Sequence, residues 1–442
     1  MTVHVSAARR SEIIDALSRG TVPARGLDVM AVGLDRFTGA IDEELTKVAG
    51  GGATFKAIRG DWGSGKTFAS RWIAERARRS GFATAEIQIS ETETPLHHLQ
   101  TVYRRIIERL AVGDGDVGAL RSVIDGWFYV LEEDVLAGGA VSETDTVALD
   151  AATGALMEQR LAGVVRTAPA FGAVLRAYRT ASSVGDSATA DGLLAWLGGQ
   201  PNVAASVKRT AGVKGEIDHT GAFSFLQGLL TILRDSGHVG LLCVIDEVET
   251  LQRVRSDARD KSLNALRQML DEIDSGRFPG LYLVITGTPA FFDGPQGVQR
   301  LAPLAQRLAT DFTLDPRFDN PRAVQIRLAG FDHSRLVELG TRIRDLYARG
   351  ARDPARVASL IDDDYLRDFG YKIAGALGGK VGIAPRLFCK KLVDILQRVD
   401  EHPDFDPRTD YFLQVTITEL SDVERNAAAG LTADDIDLDL TT

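Results

Sequence analysis

Apolar residues follow two patterns along the chain, one typical of amphipathic helices and one typical of buried strands. Apolar positions three and four residues apart predict helices at about 34–48, 66–79, 221–235 and 259–274. Short apolar or alternating runs predict strands at TFKAIR (54–59), ATAEIQI (83–89), GLLCVI (240–245), GLYLVIT (280–286) and, more weakly, TDFTL (310–314). Buried strands that alternate with helices indicate an α/β fold around a mainly parallel sheet.

The same patterns divide the chain into segments. From about 97 to 215 the helical pattern is interrupted by Gly- and Ala-rich joints, which is typical of an inserted helical region with mobile connections. Helices at about 334–349 and 385–399 predict a separate small domain. We therefore expect five segments: 1–110 with an N-terminal segment and the first half of the core including the phosphate loop, 111–214 as a helical insertion, 215–331 with the second half of the core, 332–400 as the small domain, and 401–442 as an acidic tail.

Composition and charge exclude several classes of protein and of site. The net charge of −10 belongs to residues 400–442, which hold 12 acidic and 2 basic residues, so the charge of the remaining chain neither favours nor excludes nucleic-acid binding. Cys243 and Cys389 lie 146 positions apart, which excludes a disulfide framework or a cysteine-rich zinc site. The sequence contains no apolar run of about 18 residues and no secretory signal at its start, so we expect a soluble, cytoplasmic protein without membrane contact.

One stretch carries a complete phosphate-binding motif. Gly60-Asp61-Trp62-Gly63-Ser64-Gly65-Lys66-Thr67 matches G-x-x-x-x-G-K-[ST] and lies between a predicted strand and a predicted helix. Its glycines let the backbone curl so that N–H groups converge on phosphate oxygens. Lys66 would reach the β- and γ-phosphates of ATP, and the Thr67 hydroxyl would bind Mg²⁺. A simple Gly-rich turn with a surface lysine is the alternative, and the flanking elements disfavour it.

A second motif follows the apolar strand at 240–245. Asp246 and Glu247 end this strand, although buried unpaired carboxylates are costly and contribute nothing to packing. Beside a nucleotide, Asp246 can hold Mg²⁺ through water and Glu247 can polarise the attacking water. The sequence therefore predicts that these two carboxylates complete an ATPase site.

Two further polar groups are weaker candidates. Thr286-Gly287-Thr288-Pro289 closes the next strand, where a hydroxyl would lie near a γ-phosphate, and we favour Thr288 over Thr286; a strand-ending turn is the alternative. His97 and His98 have no third metal ligand at sensible spacing, so we interpret them as surface residues.

Five stretches together resemble AAA+ ATPases of the Orc/Cdc6-like branch, and more narrowly the ATP-binding proteins of bacterial BREX phage-defence systems (BrxD-like, with BrxC more distant). They are VPARGLDVMAVG (22–33), the phosphate loop, GLLCVIDEVETLQRVRSDARDKSLNALRQMLDEID (240–274), FPGLYLVITGTPAFFDGPQGVQRLAPLAQRL (278–308) and APRLFCKKLVDIL (384–396). The resemblance covers most of 1–110 and 215–400. It implies a P-loop NTPase fold of the AAA+ type in which the small domain is a helical lid.

The resemblance also implies roles for single residues. Thr288 falls at the sensor-1 position with Thr286 in reserve, and Arg386 falls at the sensor-2 position of the lid. Arg307 falls where AAA+ proteins place an arginine finger, although Arg300 is close by and the choice between them stays open. Gly33 belongs to the segment that borders the adenine. Relatives often continue this segment with Gly-Arg-Glu, whereas Leu34-Asp35-Arg36 follows here.

The sequence thus predicts an ATPase that converts ATP to ADP and phosphate and acts as a motor or switch with other defence proteins. Alternatives are a helicase-loader ATPase and a binding module with negligible hydrolysis. The basic residues between 253 and 267 would contact DNA backbone nonspecifically or form a solvated helix face, and the second interpretation is favoured. An arginine finger at Arg307 would imply a head-to-tail homo-oligomer in ATP.

Overall fold

The centre of the protein is a parallel sheet, as seen in a computed structural model that describes residues 5–378, 385–420 and 424–425. Its strands are β1 (Thr54–Arg59), β2 (Ala83–Gln88), β3 (Leu241–Asp246), β4 (Leu281–Gly287) and β5 (Gln325–Arg327), arranged in the order β2-β3-β4-β1-β5. Neighbouring strands pair in parallel, and the first four lie where the sequence predicts them.

The edge strand differs from the prediction. Residues 310–314 form no strand, because Asp311 accepts hydrogen bonds from the backbone and hydroxyl of Thr313 and so fixes a local turn. The three residues Gln325–Arg327 pair with β1 instead. Three residues are too few to show the alternation of apolar and polar positions from which a strand can be predicted, so the sequence pattern does not reveal β5.

Helices cover the sheet and extend beyond it. Those of the core are α2 (Asp35–Ala49), α3 (Lys66–Arg79), α4 (Leu99–Glu108), α11 (His219–Asp235), α12 (Ser256–Asp274), α13 (Pro289–Asp293) and α14 (Ala302–Arg307). The insertion contains α5 (Leu120–Ala137), α6 (Thr146–Arg160), α7 (Ala162–Thr167), α8 (Pro169–Ser183), α9 (Ser187–Leu197) and α10 (Ala205–Thr210). The lid contains α15 (His333–Ala348), α16 (Pro354–Leu360), α17 (Asp363–Ala376) and α18 (Pro385–Glu401), and α1 (Ala7–Ser18) precedes the core.

The strands bury both faces, as their continuous apolar sequences require. Alternate residues of β3 enter different cores: Leu241, Cys243 and Ile245 pack on one side, and Leu242 and Val244 on the other. The second side is covered by α2 and α3, and the first by α4, α11 and α12. The helix that follows the phosphate loop, α3, therefore packs directly against the sheet.

The insertion is not an independent unit, because its helices continue the core on the first side of the sheet. Trp127 of α5 donates a hydrogen bond of 2.7 Å to Asp235 at the end of α11. The ring of Phe171 meets Phe225 edge-on, and a Cβ at Gly228 would collide with it, so α11 carries glycine where the insertion approaches most closely. The Gly/Ala-rich stretch at 181–192 lies largely inside α8 and α9 rather than forming a free connection.

The lid has its own core, to which the start of the chain also contributes. Ile13, Ile14 and Leu17 of α1 pack with the apolar faces of α15 to α18. The helix of the N-terminal segment thus packs with the lid rather than with the sheet. Residues 421–423 and 426–442 of the predicted acidic tail lie outside the described residues. The predicted fold class, an α/β P-loop NTPase with a parallel sheet and a helical lid, is confirmed.

Candidate functional site

The phosphate loop, residues 60–65, joins the carboxyl end of β1 to the first turn of α3. Gly63 and Gly65 have φ angles of 79° and 90°, in the left-handed region that favours glycine. A Cβ at Gly60 would collide with the Ser64 hydroxyl. The glycine spacing of the motif therefore reflects the curl of the loop, which ends at the positive end of the α3 dipole.

Lys66 turns back over the loop that precedes it. Its Nζ donates hydrogen bonds to the carbonyl oxygens of Gly60 at 3.1 Å and Asp61 at 3.3 Å, and it lies 5.0 Å from the centre of the Trp62 ring. Its nearest anion is Glu249, with 3.6 Å between Nζ and Oε1. The sequence reasoning does not single out Glu249, whose only signal is its place three residues after Asp246.

Thr67, Asp246 and Thr286 form a continuous chain of side chains from three elements. Thr67 Oγ1 donates a hydrogen bond of 2.9 Å to Asp246 Oδ2, and the Thr286 hydroxyl donates to Asp246 Oδ1. Asp246 and Thr286 are buried, with 5% and 0% of their surfaces exposed. The two residues predicted to hold the metal are therefore in contact, and β4 contributes a third oxygen.

Glu247 leaves β3 in an unusual backbone conformation. Its φ of 59° is in the left-handed region, and its N–H donates to Asp246 Oδ1 at 3.1 Å and to Thr286 Oγ1 at 3.2 Å. Its carboxylate accepts a hydrogen bond of 2.7 Å from the side chain of Gln88. Gln88, which the sequence reasoning misses, is paired with Asp246 in the sheet register.

A cavity of about 320 Å³ opens beside these groups. Its polar end is lined by the phosphate loop, Thr67, Glu247 and Glu249. Its other end is mostly apolar and is shared between the N-terminal segment and the lid. The apolar wall includes Leu17, Val22, Met30, Val32, Phe331 and Leu339. One polar and one apolar end suit a ligand that has a charged group and a planar apolar group.

The residues present fit a nucleotide with a divalent cation. The buried Ser64 hydroxyl lacks a hydrogen-bond partner among the described residues, so it could form a hydrogen bond with a ligand in the loop. Lys66 and the loop N–H groups would hold phosphate oxygens. The oxygens of Thr67 and Asp246 are of the type that Mg²⁺ prefers.

Two other predicted residues lie at the edge of this site. Thr288 does not line the cavity; its side chain instead caps α13 by accepting a long hydrogen bond of 3.4 Å from the N–H of Phe291. Gly33 has a φ of 73° and faces Arg335. It lines a smaller neighbouring cavity together with Ser64, whereas its neighbours Val32 and Leu34 line the main one.

Arg386, at the start of α18, lines the main cavity from the lid. Its guanidinium donates to the carbonyl oxygen of Glu419 at 3.1 Å and to the buried carboxylate of Glu424 at 2.7 Å. The structure thus brings the sensor-2 candidate to the cavity, where a carboxylate near the end of the described chain holds it.

Arg307 lies apart from the cavity, at the end of α14. It forms ion pairs with Asp271 and, at 2.8 Å, with Asp274, both on α12. Arg300 is paired with Asp260 on the same helix. Both arginine-finger candidates are therefore held on the surface by carboxylates of their own chain.

The basic residues after Glu247 separate into two groups. Arg259 donates to three backbone carbonyls of residues 251–254, and Arg267 pairs with Asp271, so both are engaged within the fold. The exposed members are Arg253, Arg255 and Lys261.

The two adjacent histidines have local contacts. Their rings lie 4.2 Å apart, and His97 Nδ1 is 3.2 Å from the Ser262 hydroxyl. Within the described residues, no cluster of three or more His, Cys, Asp or Glu side chains is arranged to hold a metal ion.

A parallel sheet with a phosphate loop after β1 and an acidic pair after β3 defines a nucleotide-binding protein of the P-loop NTPase class. The chain belongs to the BrxC/BrxD family, since the family model described as BREX system ATP-binding protein BrxC/D matches residues 5–414. The resemblance to BREX ATP-binding proteins is confirmed.

Other comparisons are more distant. No curated protein matches the chain. Among solved structures, the chain is similar to the ORC2 protein of Aeropyrum pernix, solved as ADPNP-ADP complexes, with 10% sequence identity and a TM-score of 0.32. The match covers 81% of this chain and 66% of that chain, slightly less than two thirds of its length. No helix within the described ranges is long and apolar enough to cross a membrane.

Proposed function

We propose that this protein is an ATPase that binds ATP with Mg²⁺, hydrolyses it to ADP and phosphate, and acts as a motor or switch in a DNA-associated BREX defence complex in the cytoplasm. The observation that carries this proposal is that Lys66, Thr67 and Glu247 line one end of one cavity, where Thr67 donates a hydrogen bond to Asp246 directly behind it. Membership of an ATP-binding family supports the choice of nucleotide.

In this proposal, some residues bind the charged groups of the nucleotide and the cation, and Glu247 is positioned to accept a proton from water. ATP supplies the phosphoanhydride bond that is broken. Lys66 and the loop N–H groups hold the phosphates, and Thr67 with Asp246 holds the cation. Glu247 accepts a proton from the attacking water, and its two backbone hydrogen bonds fix where its carboxylate lies. The apolar end of the cavity would take the adenine and exclude water from it.

The proposed assembly uses surfaces outside the cavity. Arg253, Arg255 and Lys261 are exposed on one segment and would contact nucleic-acid backbone phosphates. Arg307 would reach the nucleotide of a neighbouring copy in a head-to-tail contact, because its own cavity is out of reach.

A second candidate function is an ATP-dependent switch with slow hydrolysis, which docks a partner while ATP is bound. The hydrogen bond between Gln88 and Glu247 favours it, because a carboxylate occupied by an amide is less available to water. Measurement of turnover with DNA and partner proteins present separates the two candidates.

The nucleotide site itself is tested by Lys66→Ala. The ring of Trp62 has Lys66 Nζ at 5.0 Å and Arg253 Cζ at 5.9 Å from its centre, so we use its fluorescence to report binding at the loop. We expect affinity for ATP to fall roughly 10- to 100-fold, since a hydrogen bond to a charged group contributes about 1.5–3 kcal/mol. Lys47→Ala, an exposed lysine of α2, is the control and should bind normally. Equal affinity of Lys66→Ala and the wild type would refute the site.

A further inference from the structure

Glu249 has a buried carboxylate whose two oxygens accept no hydrogen bond from the described residues. It lies in the short helical turn after Glu247, and 4% of its surface is exposed. Neither of its carboxylate oxygens has a hydrogen-bond partner within the described residues, yet the side chain lines the polar end of the cavity. A carboxylate that has lost water without gaining donors needs a compensating cation.

Lys66 is the cation that faces it. The distance of 3.6 Å between Lys66 Nζ and Glu249 Oε1 is within ion-pair range but too long for a hydrogen bond. Burial raises the pKa of the Glu249 carboxyl, Lys66 and to a smaller extent the backbone N–H of Glu249 itself oppose that rise, and the negative charges of Glu247 and Asp246 add to it. Without Lys66, Glu249 would be a buried charge among like charges.

We propose that Glu249 is the resident counter-ion of Lys66 and competes with the phosphates of a nucleotide for its ammonium group. This inference rests on the proposed nucleotide site and adds a positioning residue to it. The ammonium is within reach of the loop and of Glu249, but it cannot pair fully with phosphate oxygens and keep Glu249 neutralised. Binding of an anion therefore includes the cost of separating this pair, and Glu249 limits the affinity of the site.

The direct test is the affinity of Glu249→Gln for ADP and for ATP with Mg²⁺, measured by calorimetry. Glutamine keeps the shape and removes the charge. We expect both nucleotides to bind about tenfold more tightly, which corresponds to about 1.4 kcal/mol. Glu247→Gln is the matched control, because it removes the same charge from the same cavity but from a carboxylate held by Gln88 rather than by Lys66. Its affinity should change much less.

A second measurement uses the nucleotide-free protein. Lys66→Met should lower the melting temperature, because it leaves Glu249 buried without its cation. Glu249→Gln added to that chain should recover part of the loss. A purely additive pair of changes would overturn the proposal, and this readout involves no ATP turnover.

The outcomes separate this inference from the proposed function. If the wild type binds nucleotide, Lys66→Ala binds it more weakly, and Glu249→Gln binds equally or more weakly than wild type, the counter-ion role is refuted and the site stands. If the wild type itself binds neither nucleotide, the proposed function fails first. An equal gain of affinity in both glutamine variants would show a general charge effect and would also refute the specific pairing.

Discussion

The side chain of Gln88 donates a hydrogen bond of 2.7 Å to the carboxylate of Glu247. The contact follows from the sheet, since Gln88 at the end of β2 is paired with Asp246 at the end of β3. The residue that we propose as the base for water is thus hydrogen-bonded to a neutral amide on the neighbouring strand. We predict that full activity requires release of this amide from Glu247.

Gln88→Ala should raise the rate of ATP hydrolysis several-fold, because the Glu247 carboxylate no longer shares a lone pair with an amide and becomes a better proton acceptor. Affinity for ATP should change little, because Gln88 does not line the cavity. A phosphate-release assay at saturating ATP measures the effect. Gln306→Ala, at an exposed position on α14, is the control, and a lower rate in Gln88→Ala would indicate that the amide positions the carboxylate instead.

Glu247→Gln should bind ATP but hydrolyse it about 10²–10⁴-fold more slowly, the usual contribution of a general base. Binding by Trp62 fluorescence and single-turnover hydrolysis distinguish the two steps. Glu91→Gln, in the exposed loop after β2, should behave as the wild type. Unchanged turnover in Glu247→Gln would move the proton acceptor elsewhere.

Thr286→Val and Thr288→Val should have different effects, although the two residues are two positions apart. Loss of the Thr286 hydroxyl removes a donor from Asp246, so we expect hydrolysis to fall about tenfold and to require more Mg²⁺. Loss of the Thr288 hydroxyl removes the cap of α13 and should cost about 1 kcal/mol in the free energy of unfolding with little change in Mg²⁺ dependence. Mg²⁺ titrations and chemical denaturation measure both, and the reverse pattern would support Thr288 at the sensor-1 position.

Arg307→Ala should leave ATP affinity nearly intact and reduce turnover by a factor on the order of 10³ or more, as expected for an arginine supplied in trans. Mixing this chain with Glu247→Gln should restore part of the activity, because one interface then combines an intact arginine with an intact carboxylate. Arg300→Ala is the matched comparison, since Arg300 is likewise paired with α12 and is the alternative candidate; a larger loss of turnover in Arg300→Ala would assign the finger to Arg300. Turnover that does not depend on protein concentration would argue against a shared site.

The sequence predicts the chemistry that lies in contiguous residues. The phosphate loop and the Asp246–Glu247 pair are short motifs whose residue types are required by the ligand, and their flanking strands are apolar enough to recognise. The choice between Thr286 and Thr288 depends on where β4 ends and α13 begins. Thr286 is still in the strand and reaches Asp246, whereas Thr288 already serves the next helix.

Contacts between distant residues are less accessible to sequence reasoning. Gln88 and Glu249 have no motif of their own, and their roles depend on strand register and on the direction of one lysine side chain. The placement of α1 depends on packing across more than 300 residues of chain. No local pattern records which of two apolar surfaces a short amphipathic helix will cover.

The packing of α1 against α18 also determines which contact would yield first if a pulling force were applied to these two helices. Force applied through Ala7 and Glu401 enters two helices that already touch each other, so it shears that contact before it reaches the strands. The hydrogen bonds between the parallel strands would bear this force only after the contact between the two helices had separated. A partner that pulls on the chain through these two helices would therefore disturb the apolar wall of the cavity while leaving the phosphate loop in place.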